Sequence, residues 1–390
     1  MALALHNFSG FETQGNEESN LVVGSPAYVS SPKRSGTVAL HLPGASTQNE
    51  YQIDTESDFL NNQIYSIWVN FTDLTPNAAY QFMQGSSSSS VSLWKLRLET
   101  DGGVTFVDAG DVDKETAGTP FTVNTWHRID IFNSSAGNHP TTIYVDGSLI
   151  LGPNNAGSTA SSNLNLMGPS TVGEEIYFDD FYNLDDATDI DDRLGDVEVF
   201  AYQNTAEDAT DQGDTLADGT WALVSEVPLN EGASNDASYV DTGNLTGSTI
   251  CDEGTRSGPS GDANVDGDSN IKAAKWVGRF KRGAGGGRTH SFLIGNSGDG
   301  VTAKTIALGT GYATFSVVSE AAGEVPLSTE SFQHGFSKDL TGGQDIFCGD
   351  IWAMLLHVPS AVVADPSTDA ESFIAGQQQP VIEQTEIVGY

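Results

Sequence analysis

The stretch Leu93-Trp94-Lys95-Leu96-Arg97-Leu98 decides the fold class. Trp94, Leu96 and Leu98 share one parity, and Lys95 and Arg97 take the other. A period of two places the apolar set on one face of a half-buried β-strand. Asp101-Gly102-Gly103 follows as a turn and leads into Val104-Thr105-Phe106-Val107, which reads as a hairpin. Working outward, further strands are expected at Trp126–Phe132, at Thr141–Val145 (closed by the turn Asp146-Gly147) and at Glu175–Tyr182. Beyond these come Gly195–Tyr202, Trp221–Val224, Lys272–Lys281, His290–Ile294, Thr305–Leu308, Ala313–Val318 and Ile351–Val358. No capped window with a 3.6-residue apolar period occurs, so the chain is expected to be all-β with little helix.

Composition agrees with this reading and removes several function classes. The 390 residues include 43 glycines and are 38% hydrophobic, which suits a turn-rich β protein large enough for two cores. Asp and Glu number 53 against 16 Lys and Arg, a formal net charge of −37, and such a surface repels nucleic acid. No apolar run is long enough for a membrane helix, so no membrane partner is expected. The opening residues lack the basic and apolar regions of a signal peptide. Two cysteines, Cys251 and Cys348, form no disulfide framework and no four-Cys zinc site; one bridge and two free thiols both stay open.

Catalytic constellations are not found. Asp54, Glu56 and Asp58 alternate, but without the strand character that flanks a glycosidase acid pair, and they read as a solvated turn. Glu174-Glu175 and Asp179-Asp180 are adjacent in sequence and so point to opposite faces of a strand. No nucleophile elbow, phosphate loop or zinc-binding His pair occurs, and His127 reads as a half-buried sheet residue. The expectation is a protein that is not an enzyme. One metal candidate stands out. Asp262, Asn264, Asp266 and Asp268 follow the first half of a calcium loop, with Gly267 at the sharp turn. Ala273 stands where the closing Glu would be, so the alternatives are a weak Ca site and a plain acidic turn. The acidic loop from Asp185 to Asp192 is a second cation candidate. No other cofactor is expected.

Charge is distributed unevenly. Between Lys272 and Arg288 there are six basic residues and no acid. Strand parity sends Trp276, Gly278 and Phe280 inward and Lys275, Arg279 and Lys281 outward. With Arg282 these form a basic strip, a candidate contact for an acidic partner or a second copy of the chain.

Several motifs resemble known families. Gly10-Phe11-Glu12-Thr13, Arg34-Ser35-Gly36-Thr37-Val38-Ala39-Leu40, Ile67-Trp68-Val69-Asn70-Phe71, Asn124–Ile129, Ile143–Gly147 and Tyr177–Phe181 occur in the order seen in concanavalin A-like, laminin G-like sandwiches. The resemblance covers residues 7–183 and implies an antiparallel jelly roll, a fold that hosts many functions. The junction Asp179–Asp186 followed by Asp192-Arg193-Leu194-Gly195-Asp196-Val197-Glu198-Val199 resembles tailed-bacteriophage virion proteins, although Leu194 and Glu198 depart from that pattern.

Together these readings give three parts: a concanavalin A-like sandwich at 1–190, a second β-sandwich at 191–359 and an extended C-terminal arm at 360–390. The expected function is a non-enzymatic accessory virion structural protein of a tailed phage, either capsid decoration or an attached fibre component. It would be assembled in the host cytoplasm, with other virion proteins and copies of itself (a trimer among the options) as partners. The alternative is a lectin-like module that binds a host-surface glycan. The arm lacks Lys and Arg, and Val381, Ile382 and Tyr390 are its apolar anchors toward a partner.

Overall fold

The computed structural model describes residues 4–11, 19–54, 62–87, 91–135, 140–155, 163–202, 240–241, 253–254, 271–283, 289–296, 300–321, 324–325, 332–338 and 346–358. Among them the only helical element is a 3-10 turn at Ile190–Asp192. The first part of the chain forms β1 (Ala4–Ser9), β2 (Ser19–Val23), β3 (Ala27–Val29), β4 (Ala39–Pro43), β5 (Glu50–Asp54), β6 (Gln63–Phe71), β7 (Tyr80–Ser86) and β8 (Ser92–Leu98). It continues with β9 (Val104–Asp108), β10 (Asp113–Ala117), β11 (Trp126–Asn133), β12 (Pro140–Val145), β13 (Ser148–Asn155), β14 (Asn163–Met167) and β15 (Glu175–Asp185). The second part forms β16 (Glu198–Tyr202), β17 (Val240–Asp241), β18 (Glu253–Gly254), β19 (Ile271–Arg282), β20 (His290–Asn296), β21 (Gly300–Ile306), β22 (Ala313–Ser319), β23 (Phe332–Lys338) and β24 (Ile346–His357).

These strands make four antiparallel sheets. Sheet I runs β13-β12-β11-β6-β15-β4-β3, with β1 also on β15; sheet II runs β10-β9-β8-β7-β14-β5-β2. Sheet III runs β16-β24-β19-β22, with β17 on β24, and sheet IV runs β18-β23-β20-β21. The all-β, jelly-roll-like class read from the sequence is the observed one. The Asp146-Gly147 turn joins β12 to β13 with φ of 49° and 79°, the two positive values a two-residue hairpin turn requires.

Three apolar cores stack these sheets. Ile67, Val69, Ile129, Ile131, Ile176 and Phe178 of sheet I face Trp94, Leu96, Leu98, Phe106 and Leu164 of sheet II. Trp276, Phe280, Ala353 and Leu355 of sheet III face Phe292, Ile294 and Phe336 of sheet IV. A third core lies between the two sandwiches, where Leu5, Phe8, Ile64, Tyr182 and Leu184 meet Val199, Ala273, Val277, Met354 and Leu356. The layers therefore follow the order II, I, III, IV, and the inner two carry core residues on both faces. Each fully buried large apolar side chain contributes about 1.5–3 kcal/mol, so this third core is a substantial bond between the halves.

One strand that serves two cores, β15, does so through a bulge. Its pairing with β6 slips between Asp179 and Tyr182, where one extra residue is inserted. Asp180 occupies that bulge with φ of 45°. The insertion reverses the alternation. Ile176 and Phe178 point into the first core, whereas Tyr182 and Leu184 point at sheet III. Gly10 lets the chain approach there, since a Cβ at that position would lie 2.9 Å from Val199 Cβ.

Two strand expectations are corrected. The strand placed at Thr305–Leu308 is β21, and it begins at Gly300 because the β20 hairpin sets its register through Asn296 opposite Gly300. The strand placed at Ile351–Val358 starts at Ile346, since β24 follows β19 to the end and pairs Ile346 with Arg282. The strand expected at Trp221–Val224 lies outside the described residues.

Candidate functional site

The sequence-derived candidates separate on the structure. Asp262, Asn264, Asp266 and Asp268 lie outside the described residues, as do Val381, Ile382, Tyr390 and Cys251. In the Asp185–Asp192 loop, Asp192 is taken up by Thr188, whose hydroxyl donates to it over 2.8 Å. Among the described residues no cluster of three metal-ligating side chains occurs.

The basic strip divides. Lys275 is 2% exposed, and its ammonium donates to Asn7 Oδ1 over 2.9 Å and to the Phe8 carbonyl over 3.1 Å. Its outward placement is thus corrected: the face opposite Trp276 looks at the first sandwich, not at water. Arg279 and Lys281 flank the Tyr312 ring at 5.5 and 4.1 Å from its centroid. Arg282 Nε donates to the Leu308 carbonyl over 2.7 Å.

His127 and the acidic pair are also engaged. His127 is buried rather than half-buried, with Nδ1 2.6 Å from Asp146 Oδ2, and its Nε2 accepts the Thr122 N–H over 2.8 Å. Accepting at Nε2 leaves Nδ1 as the donor, so neither nitrogen is left to take a substrate proton. Asp179 and Asp180 are both fully buried, because the bulge suspends the alternation that would expose one of them. Asp180 accepts from Arg34 Nη1 over 2.8 Å, from Ser35 Oγ over 2.6 Å and from the Val199 N–H over 2.8 Å. Arg34 also donates to the Val197 carbonyl over 2.8 Å and to Asp196. Burial pushes the Asp180 carboxyl up to about 6, against the opposing pull of Arg34.

One surface carries polar groups that the chain itself leaves unused. It lies on the outer face of sheet I, at the end of β6 away from the contact with sheet III. Pairing aligns His41 of β4, Tyr177 of β15, Asn70 of β6 and Trp126 of β11 in one cross-strand row. The neighbouring row holds Asp179, Trp68 and Arg128. Core residues flank His41, Trp68, Asn70 and Tyr177 on both sides along their strands, so strand alternation turns these four outward. The His41 and Tyr177 rings stack at 4.7 Å with 16° between their planes. The Arg34 guanidinium lies 4.1 Å over the Trp68 ring. Tyr177 Oη donates to Glu175 Oε2 over 2.6 Å. Trp68 and Trp126 remain partly exposed.

Within this ledge His41 Nε2, Trp68 Nε1 and Asn70 Oδ1 are buried without a hydrogen-bond partner. A buried polar atom left this way costs about 1–3 kcal/mol. Burial also holds the His41 imidazole below its ordinary pKa, partly countered by Glu175, so the ring is neutral at neutral pH. The polar face of sheet II offers a contrast. Its amide row satisfies itself, with Gln52 Nε2 donating to Asn165 Oδ1 over 2.9 Å and Ser86 Oγ donating to the same oxygen over 3.3 Å. Sequence reading missed the ledge: its residues come from four strands, and only their register unites them.

No family model and no curated protein matches the chain. Solved structures with a similar fold include the cellulose induced protein Cip1, at 11% identity and a TM-score of 0.37, matched over 45% of this chain and 96% of that one. The botulinum neurotoxin serotype D ligand binding domain, solved in complex with N-acetylneuraminic acid, matches at 13% identity and a TM-score of 0.33, over 45% of this chain and 50% of that one. The botulinum neurotoxin type G receptor binding domain matches at 14% and 0.32, over 44% and 43%. At these values the likeness concerns fold alone and bears on neither function nor a phage origin. The chain is an all-β protein of jelly-roll-like sandwiches.

Proposed function

We propose that the protein is a non-catalytic glycan-binding module and that the ledge on sheet I is its binding surface. The observation that carries this reading is the joining of partly exposed flat rings with unspent hydrogen-bonding atoms in a single patch. Trp68, Trp126 and His41 supply the partly exposed rings, with the buried Tyr177 stacked on His41; Asn70, Trp68 and His41 hold the buried unpartnered atoms. A sugar ring presents an apolar face to an aromatic plane and hydroxyl groups at its rim, which is the complement of such a patch. The reading as non-enzymatic is supported by the engagement of His127, Asp179 and Asp180 in internal contacts.

The test is a glycan array followed by calorimetry on the hits, with Trp126→Ala as control. Binding lost in Trp126→Ala, with an unchanged melting temperature, supports the reading. Binding that survives both Trp126→Ala and Tyr177→Ala removes the ledge from it.

A second reading, the accessory virion component, is favoured by the core between the sandwiches. It makes the two halves one stiff body, a property suited to a particle building block. A fixed copy number of this chain in purified particles would support it.

A further inference from the structure

We infer that β22 is a self-pairing edge: two copies of the chain join antiparallel along it, about a two-fold axis at Ser316, and make sheet III continuous across the pair. This surface lies apart from the ledge and does not depend on it. β22 is an outer strand of sheet III, and among the described residues nothing pairs with its far side. A bare edge is a template for another strand, and proteins blunt theirs with charge, proline, bulges or shortness. Other outer strands here carry such devices. β10 has Asp113, Lys114 and Glu115 and a break in register; β13 has Pro153 and a break in register. β2 has a break in register, β3 is three residues long and β18 two, β16 carries Glu198 and β21 carries Lys304. β22 has none of them. Ala313-Thr314-Phe315-Ser316-Val317-Val318-Ser319 holds no charge and no proline, and it keeps an unbroken register with β19 from Ala313 to Ser319. Ala313 and Ser316 are exposed, and Phe315 and Val317 are only half-covered where they pack on the second core.

The strand complements itself. With Ser316 opposite its own counterpart, Phe315 of one copy lies beside Val317 of the other, an apolar cross-strand pair, and Tyr312 stands opposite Glu320. The charges match as well. Arg279 and Lys281 lie 5.5 and 4.1 Å from the centre of the Tyr312 ring at one end of the strand. The exposed Glu320, which takes the Leu5 N–H over 3.1 Å, follows the other end. Tyr312 and Glu320 share the parity of Val318, which faces the first sandwich, and Arg279 and Lys281 take that same face of β19. Antiparallel pairing therefore brings the basic end of each copy to the acidic end of the other, twice per pair. Elsewhere a net charge of −37 holds two copies apart, so a strand without charge is where they can close.

The experiment is sedimentation velocity of the full chain over about 1–100 μM, with melting temperature as the control on folding. The parent is expected to pass from one copy to two across that range. Ser316→Lys places like charges opposite each other and should abolish the larger species. Glu320→Gln keeps an acceptor for Leu5 and deletes the charge, and should weaken pairing roughly two- to tenfold. Ser316→Cys reports the register, since directly opposed residues have Cα atoms about 4.5–5.5 Å apart, within disulfide reach. Mild oxidation should link Ser316→Cys into dimers faster than the parent or Thr305→Cys, an exposed position on β21. A parent that stays single throughout with no excess cross-linking of Ser316→Cys, or a dimer that Ser316→Lys leaves intact, overturns the inference.

Discussion

The Arg34 guanidinium and the Asp180 carboxylate meet at 2.8 Å, the carboxylate fully buried and the guanidinium 11% exposed, and Arg34 also donates to the Val197 carbonyl just before the strand that opens the second sandwich. The carboxylate also takes the Val199 N–H, so one side chain satisfies groups from both halves. A buried pair of this kind is costly to assemble and far more costly to break on one side.

Asp180→Ala removes the buried acceptor that Arg34 Nη1, Ser35 Oγ and the Val199 N–H share, and leaves the Arg34 charge without its closest carboxylate at that point. The expected loss is about 3–5 kcal/mol in urea unfolding. A loss below about 1 kcal/mol, the range of an exposed pair, would show that the contact is not buried as described.

The carboxyl of Asp180 also sets a pH dependence. Its folded value of about 6 lies above the ordinary aspartate value of 3.8, so the native state holds the proton more tightly than the unfolded chain. Its contribution is therefore fully present below the unfolded value and is lost as pH rises through about 6. Asp180→Asn, which cannot titrate, should flatten the fall in stability between pH 4 and pH 7 relative to the parent. Parallel stability–pH curves for the two proteins would contradict this assignment.

Lys275 and Lys281 should respond differently to the same change. Lys275→Met removes the donor to Asn7 Oδ1 and the Phe8 carbonyl inside the junction, at an expected cost of about 1–3 kcal/mol. Lys281→Met removes a cation lying over Tyr312, an interaction worth about 0.5–1 kcal/mol. Thermal melts of the two variants, measured side by side, give the order.

Gly10→Ala tests the closeness of the halves. The new methyl would sit 2.9 Å from Val199 Cβ and 3.0 Å from the Val199 carbonyl oxygen, and backbone cannot step aside cheaply. The expected cost is about 1–3 kcal/mol, read as a lowered melting temperature. An unchanged melt would mean that the junction is looser than its packing implies.

Strand alternation made most of the fold legible. It works at β8, where one face meets the core and the other does not, and Lys95 and Arg97 mark the outer side. It fails at β19 for a physical reason. Sheet III is covered on both faces, so Lys275 and Val277 are as buried as Trp276, and parity no longer separates core from water. The same holds at Asp179-Asp180, where the inserted residue cancels the alternation on which the opposite-face reading relied. Arg34 was visible only as part of a resemblance, because its partners stand 146 and 162 residues away in the chain. The ledge was hidden for a related reason, since His41, Trp68, Asn70, Trp126 and Tyr177 come together only through strand order in sheet I.

The bulge in β15 has a consequence for separability. Because it turns Tyr182 and Leu184 toward sheet III, the first sandwich owns a greasy outer stripe, completed by Leu5, Phe8 and Ile64, that it cannot cover by itself. A chain stopped at residue 190 would keep every strand of sheets I and II and still present that stripe to water. Such a fragment is the natural recipe for a sticky protein, one that pairs with its own kind or precipitates, although nothing in its own core has been disturbed.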